Sequence, residues 1–482
     1  MTSYKRAIRP MSSDLIAKSA VQIVNMLKSG EVSPHELLDA LEQRVGEVDG
    51  VVNALPTLCF ARARANADTL MKLPVGERGL LAGLPVPIKD LSNVKGVRTT
   101  LGSLMFKDNV PDTSDILVEH LERQGGLIFA KSNTPEFGAG ANTFNEVFGP
   151  TLNPWDTSKS AAGSSGGAAV ALATGMAWLA QGSDMGGSLR NPASFCGVVG
   201  MRPSPGRIAR SQGSDIFAML GVEGPMARNV EDLALLFDAM VGQEIKDPVS
   251  LPFDGNSFLK AARSGQKPKR VAFSMDLGIT HVDSQVRAVL EQAIETLANN
   301  GIIIEQAHPD LNEVHKVFDT LRALAFATGL GPFLKDHGDK LKPEVVWNIE
   351  KGLALSVEEI VHAKQLQATM FERMCRFFET YDLLLAPSTI VPPFPIEERY
   401  VESCDGHVFE NYYQWLAIAY AITNVACPAL SLPAGFTPSG LPVGLQIIGP
   451  PRGEAQILSS AKLFEDILGY CQLTPIDPRI RI

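Results

Sequence analysis

The sequence predicts an α/β protein whose sheet is at least partly parallel. Two stretches carry that expectation. Residues 83–130 read as a buried strand (Gly83–Asp90), a helix (Asp115–Gln124, with Ser114 as its cap) and a second strand (Leu127–Ala130). Residues 270–305 repeat the order with Arg270–Ser274, Gln285–Asn299 and Gly301–Glu305. Parallel strands cannot be joined by a tight hairpin, so strand, crossover helix, strand is their minimal unit. The third observation is size. A chain of 482 residues, 45% hydrophobic and 20% charged, is globular in composition and long enough for two or three average domains or one large unit.

In chain order, the first eighty residues read as helical. Ser19–Lys28 is closed by Gly30, and Ser33-Pro34-His35-Glu36 supplies an N-cap, a first-turn proline and a capping-box glutamate. Leu37, Leu38, Leu41, Val45 and Val48 then fall on one face, and another helix is expected over Phe60–Leu73. Lys89 stands at the carboxyl end of the 83–90 strand, where open α/β sheets place their sites. Residues 132–162 form a long loop, the kind that in a compact domain is usually functional or disordered. An Ala-rich helix over Ala168–Trp178 and a helix starting at Val230 follow. The Pro-, Asp-, Gly- and Ser-rich stretch 245–268 is where a boundary would fall, between an N-terminal helical part (1–80) with the catalytic core (81–245) on one side and a C-terminal part (246–482) on the other. Beyond it lie a helix from Ser356 to about Tyr381 and a buried strand over Asp382–Pro387. Next comes an aromatic segment, 388–413, that is either a pocket lid or a set of rings packed under a loop. A closing strand pair (Leu430–Ala434, Val443–Ile448) and a last helix (Glu454–Ile467) complete the chain.

Composition excludes several classes. A net charge of −10 with no basic run disfavours nucleic acid, which is bound through clustered Lys and Arg. The N-terminus MTSYKRAIRPMSSDL lacks the apolar core of a signal peptide. The most apolar stretches, 168–180 and 415–427, are too short to span a bilayer. Six scattered cysteines without a CxxC read as reduced thiols of a cytoplasmic protein, and Cys196 as core. Eight histidines without HExxH or paired spacing give no support for a metal; no cofactor is expected.

The chemistry concentrates in residues 159–207. Gly163-Ser164-Ser165-Gly166-Gly167 leads into the Ala-rich segment, and Gly182-Ser183-Asp184-Met185-Gly186-Gly187-Ser188 is a second tight loop ending on a serine. Taken singly, each is also what an ordinary turn beside a buried helix looks like. Together they offer serine hydroxyls next to runs of backbone N–H groups, which acyl transfer needs as nucleophile and oxyanion donors. No histidine lies in either loop, so a Ser-His-Asp triad has no local support. A lysine acts as base only when neutral, a state that burial favours, and Lys89 is the candidate.

Residues 159–207 resemble the amidase signature family, whose hallmark is GGSSGG, a helix, then G(S/T)DxGGS(I/L)RxPA and GxxGxKP(S/T). Ala162 stands where the first glycine is usual, and Met201-Arg202 replace Leu-Lys. The resemblance extends to the Gly83–Asp90 strand and to Ala429–Phe436 and Gly440–Gln446. It implies a single large α/β domain with a mixed twisted sheet covered on both faces by helices. It also implies a triad: Ser188 as nucleophile, Ser164 in a cis peptide as the bridging serine, and Lys89 as the base. Oxyanion donors would be the amides of Met185, Gly186, Gly187 and Ser188, with Ser165, Asp184 and Arg190 in support. The activity implied is hydrolysis of a carboxylic amide, ester or carbamate through a seryl acyl-enzyme, without metal.

Phe137, Phe144, Phe148 and the rings of 388–413 point to an apolar or aryl group in the pocket. The partners expected are a small-molecule amide and, at most, a second copy of the chain in a homodimer; neither nucleic acid nor membrane is expected. Within the same family a glutaminase subunit of a tRNA-dependent amidotransferase is the alternative, although its pocket would want charges for the amino acid's ammonium and carboxylate. A Ser-His-Asp hydrolase is disfavoured because no strand precedes Gly163, as a nucleophile elbow requires. A non-catalytic binding protein on the same fold is the alternative of another class.

Overall fold

The strands that position the site are, in chain order, β1 (Pro85–Lys89), β2 (Leu127–Ser132), β3 (Leu179–Asp184), β4 (Val199–Arg202), β5 (Val222–Ala227), β6 (Val271–Phe273), β7 (Ile304–Gln306), β8 (Leu383–Pro387), β9 (Ala429–Phe436) and β10 (Pro442–Ile448). They are taken from a computed structural model that describes residues 5–6, 14–211 and 213–480. Apart from residues 5–6 and 14–15, the N-terminal stretch read for a signal peptide lies outside the described residues.

Eight strands form one mixed sheet in the order β3-β5-β4-β9-β10-β8-β6-β7. The parallel pairs are β8–β6 and β6–β7; the others are antiparallel. Both strand–helix–strand units are therefore parallel as expected, but they belong to different sheets. β1 and β2 pair in parallel within a separate three-stranded sheet whose outer strand is Thr57–Leu58. The two sheets meet where the Lys89 N–H donates to Gln181 Oε1 of β3 at 2.8 Å. Every residue of β8 and β10 is buried. Successive strand residues point to opposite faces, so uniform burial means that the sheet is covered on both sides. The same sheet takes strands from before and after 245–268, which is a connection within one fold.

Local chemistry explains the helix ends. Ser19 and Ser33 form capping boxes with Gln22 and Glu36, and Gly30 closes the first of these helices (Ala20–Ser29) at φ +78°. Ser114 does not cap the next crossover helix, Ile116–Arg123. Its Oγ accepts from the Lys95 N–H at 2.9 Å, and Asp115 takes the N-cap position. The Ala-rich helix is Gly166–Ala173 and stops short of the expected Trp178. Gly175, at φ +76°, turns the chain where a Cβ would lie 2.5 Å from Ile16, and β3 begins at Leu179. Strands β3, β4 and β5 lie outside the expected elements, because Gly, Ala and Ser dilute the β-branched signal. So do the Val314–His337 and Pro343–Leu353 helices.

The 388–413 segment divides. Phe394, Tyr412 and Tyr413 are buried, whereas the hairpin strand His407–Val408 is exposed. All six cysteines are unpaired. Among the described residues no helix is long and apolar enough to cross a membrane.

Candidate active site

Lys89 ends β1 with no exposed surface. Its Nζ lies 2.7 Å from Ser164 Oγ, 2.9 Å from Ser165 Oγ and 3.1 Å from Ser183 Oγ. Burial pulls the ammonium down to about 7, against the upward pull of Glu223 and Asp184. The amine is therefore uncharged in a large fraction of molecules near neutral pH, when its lone pair can accept a proton.

Ser164 follows Gly163 through a cis peptide bond. The surrounding glycines are dictated by space. A Cβ at Gly166 would sit 2.3 Å from Thr143 Oγ1, and one at Gly167 2.3 Å from the Asn133 nitrogen. The threonine cannot retreat, because its Oγ1 donates to the Ala162 carbonyl at 2.7 Å. The second loop is tied to the first by the Ser165 N–H, which donates to the Ser188 carbonyl at 3.2 Å. Ser188 Oγ has no hydrogen bond among the described residues. It shares with Ser164 and Ser183 the wall of a cavity of about 220 Å³.

Asp184 shapes the second loop. Its carboxylate accepts from the amides of Gly187 and Leu189 at 3.0 Å each and from Arg190 Nη2 and Nε at 2.8 and 3.1 Å. Arg202 Nη1 donates to the Asp184 carbonyl at 2.7 Å. Burial alone would raise this carboxyl, but the two guanidiniums hold it well below the usual range. The Gly187 amide is thus already engaged and drops out of the four proposed oxyanion donors. Those of Met185, Gly186 and Ser188 have no partner among the described residues, and all three residues line the cavity. Gly187 is obligatory in another sense: at φ +105° its Cβ would lie 2.5 Å from Asn191 Oδ1.

The opposite wall is aromatic. Phe318 and Phe326 come from the Val314–His337 helix, Phe137 from the long loop, and Tyr413 from the 388–413 segment. Phe144 and Phe148 do not line the cavity. Phe144 lies beneath Lys342 Nζ and the Arg399 guanidinium, 4.5 and 5.0 Å from its centroid, and Phe148 beneath Arg98 at 5.0 Å. Both rings serve cation–π contacts, a role that sequence position alone does not distinguish from pocket lining. Sequence reasoning missed Phe318, Arg322 and Phe326, although their spacing of four residues places them on one helical face. The cavity also contains Arg210 and Glu223, so the expected apolar pocket is partly charged. Cys196 is fully buried and its thiol is pushed up by burial, which makes it inert core.

Such an arrangement can perform acyl transfer. It holds a serine on a cavity, a second hydroxyl in contact with a buried amine, and free amides beside the first serine.

The comparisons with known proteins agree. A family model described as Amidase matches residues 36–458. The chain is 34% identical over 467 residues to an acylamidase of Rhodococcus erythropolis, covering 95% of this chain and 97% of that protein. It is 33% identical over 496 residues to a glutamyl-tRNA(Gln) amidotransferase subunit of Moorella thermoacetica, covering 96% and 99%. Among solved structures it superposes on a bacterial aryl acylamidase of the amidase signature family with a TM-score of 0.89 at 26% identity, over 96% of this chain and 98% of that one. The chain belongs to the amidase signature family of serine hydrolases that act on amides.

Proposed function

We propose that the protein is a stand-alone amidase that cleaves carboxylic amides bearing an aryl or apolar group, through an acyl-enzyme on Ser188. Esters and carbamates of similar shape fall within the same chemistry. Neutral Lys89 takes the proton of Ser164 Oγ, which takes that of Ser188 Oγ as the latter attacks the carbonyl carbon. The oxyanion is held by the amides of Met185, Gly186 and Ser188, each worth about 2.7–4 kcal/mol in the transition state. The proton then returns from Lys89 through Ser164 to the departing nitrogen, which leaves as the amine. Water, deprotonated by the same route, attacks the acyl-enzyme and releases the acid. Asp184 and Arg190 fix the loop, and Ser165 holds the amine of Lys89 in register.

The observation that carries this reading is the 2.7 Å contact of the buried Lys89 amine with Ser164 Oγ, on a cavity that Ser188 also lines. The Ser188–Ser164 contact is not made in the structure, and bound substrate would close it; hydrogen bonds of this kind tighten in the Michaelis complex. The test is fluorophosphonate labelling together with turnover of aryl anilides. Labelling at Ser188 that disappears in Ser188→Ala supports the assignment, whereas anilide turnover by Ser188→Ala at the normal rate ends it.

A second reading, glutaminase activity within an amidotransferase, draws on one observation. Charges of both signs, Arg210, Arg322 and Glu223, line the cavity, as a free amino acid would require. Turnover of L-glutamine exceeding that of aryl anilides by the purified chain would favour it.

A further inference from the structure

Arg322 is 6% exposed and lies on the cavity wall between Phe318 and Phe326. Its Nη2 donates to the Tyr412 hydroxyl at 2.7 Å, and its Nη1 reaches Met185 Sδ at 3.5 Å, a weak acceptor. The rings of Phe326, Tyr413, Tyr412 and Phe318 surround it with centroids 4.4, 5.2, 5.7 and 5.9 Å away. The Nε–H has no acceptor. No carboxylate pairs with this guanidinium among the described residues, and Asp319 on its own helix and Glu344 on the following one are engaged elsewhere. Asp319 pairs with Lys351 at 2.5 Å and accepts from the Tyr413 hydroxyl; Glu344 pairs with Arg399 at 2.8 Å.

The contrast with the other buried arginines of the site is chemical. Arg190 and Arg202 share the Asp184 carboxylate. Arg322 is a buried cation held by ring faces, a phenol and a thioether, with most of its five N–H bonds unused. Burying an unpaired charge is costly, and ring faces offset only about 2 kcal/mol of that when desolvated. Glu223, which lines the same cavity, makes no ion pair with Arg322 and accepts from Gln181 Nε2 at 2.5 Å, so the evident source of an anion for Arg322 is the ligand of the cavity.

We propose that Arg322 binds a carboxylate carried by the substrate, so that the preferred substrates are amides with a free acid group at the end remote from the scissile bond. The Met185 contact places this cation beside the loop whose amides would hold the oxyanion, and an acid docked on it would align the amide carbonyl with that loop. A guanidinium suits this role because two parallel N–H bonds fix a carboxylate in orientation as well as position. The proposal rests on the amidase reading above.

The test uses two pairs of anilides. Glutaric acid monoanilide and its methyl ester place the acid on the acyl side; 4-acetamidobenzoate and its methyl ester place it on the amine side. Wild type should favour the acid of at least one pair by about 30-fold in kcat/KM, the effect of a hydrogen bond to a charged group, and mainly through KM. Arg322→Leu should bring that ratio to within about threefold of one, and Arg322→Lys, which retains the charge without the fork, should fall between. A purely structural arginine would lower both members of a pair alike; an unchanged ratio in Arg322→Leu, or a wild-type ratio near one in both pairs, overturns the proposal. Failure of the amidase reading is recognised separately, by absent turnover of all four compounds together with absent fluorophosphonate labelling. Calorimetric binding of glutaric acid monoanilide and its ester to wild type and Arg322→Lys then decides the question: a preference for the acid that weakens in the variant upholds the anion site, and equal affinities overturn it.

Discussion

The two walls of the cavity are built on different principles. The wall made by the end of β1 and by loops 163–167 and 184–190 is assembled from backbone and small residues. Gly166, Gly167 and Gly187 stand where a Cβ would lie 2.3–2.5 Å from a neighbouring atom, and the buried Asp184 is balanced by two arginines. The wall made by the Val314–His337 helix and residues 412–416 is assembled from large side chains, and its one buried cation has no protein counter-ion among the described residues. Positions that tolerate only glycine, or only the partner of a buried charge, are rigid in sequence and in space. Positions that only fill volume accept other rings and other shapes. The first wall is therefore suited to chemistry, and the second to choosing what undergoes it.

The largest expected effect tests whether chemistry resides in the first wall. Ser188→Ala should lower kcat by roughly 10⁴–10⁶-fold for every substrate, as removal of a serine nucleophile does elsewhere, and Lys89→Met should approach it. Measured across pH, log kcat/KM should rise with unit slope and level off near pH 7. Burial has pulled the Lys89 ammonium down to about that value, and only the uncharged amine can act as base. The sign is fixed by the protonation state: below about 7 the lysine carries its proton and cannot take another, which would block the proposed relay. A profile flat from about pH 5 to 9, with chemistry rate-limiting, would remove Lys89 from the mechanism.

Next in size is stability. Asp184→Ala strips the counter-charge from two buried guanidiniums and should cost about 3–5 kcal/mol in denaturant unfolding, the penalty of breaking a buried ion pair on one side. The carboxyl is held below its ordinary range, so its contribution is present above its unfolded value and is lost only as pH falls through the lower folded value. Acid unfolding of wild type and variant should therefore differ by the full amount at about pH 7 and converge in strong acid. A variant as stable as wild type would show that the loop is held by its backbone alone.

How much of this was legible follows the same division. The capping box at Ser33 and the parallel pairings could be read because each is a local constraint with a residue-type signature, and Lys89, Ser164 and Ser188 could be singled out because the stretches around them resemble the motifs of a known family. The engagement of the Gly187 amide by Asp184 could not, since it depends on how a loop folds back on a side chain three residues away. Strands β3 to β5 were hidden because their burial is secured by neighbours on both faces, so Gly, Ala and Ser suffice. Phe144 and Phe148 were misplaced for a simpler reason: an aromatic ring in a loop has the same composition whether it faces a ligand or a guanidinium. Arg322 carried no local signal, because a lone arginine in a helix ordinarily faces water.

The smallest effect separates the two kinds of aromatic residue. Phe326→Ala, on the cavity, should change the preference between a benzoyl and an acetyl anilide by about 10–200-fold, the range available to apolar contacts in a pocket, chiefly through KM. Phe148→Ala removes a ring that stacks under Arg98 away from the cavity, and should leave that preference within about twofold, at the level of a lost cation–π contact of about 0.5–1 kcal/mol in stability. The informative quantity is the ratio, since both variants lose ring burial and both are expected to melt earlier. If Phe326→Ala instead lowered kcat equally for both anilides and left KM alone, the helix would be bracing the catalytic loop through Phe318 and Met185, and choice and chemistry would not be divided between the walls. If Phe148→Ala shifted the preference as far as Phe326→Ala, the 132–162 loop would rearrange on binding to bring its outer rings to the substrate.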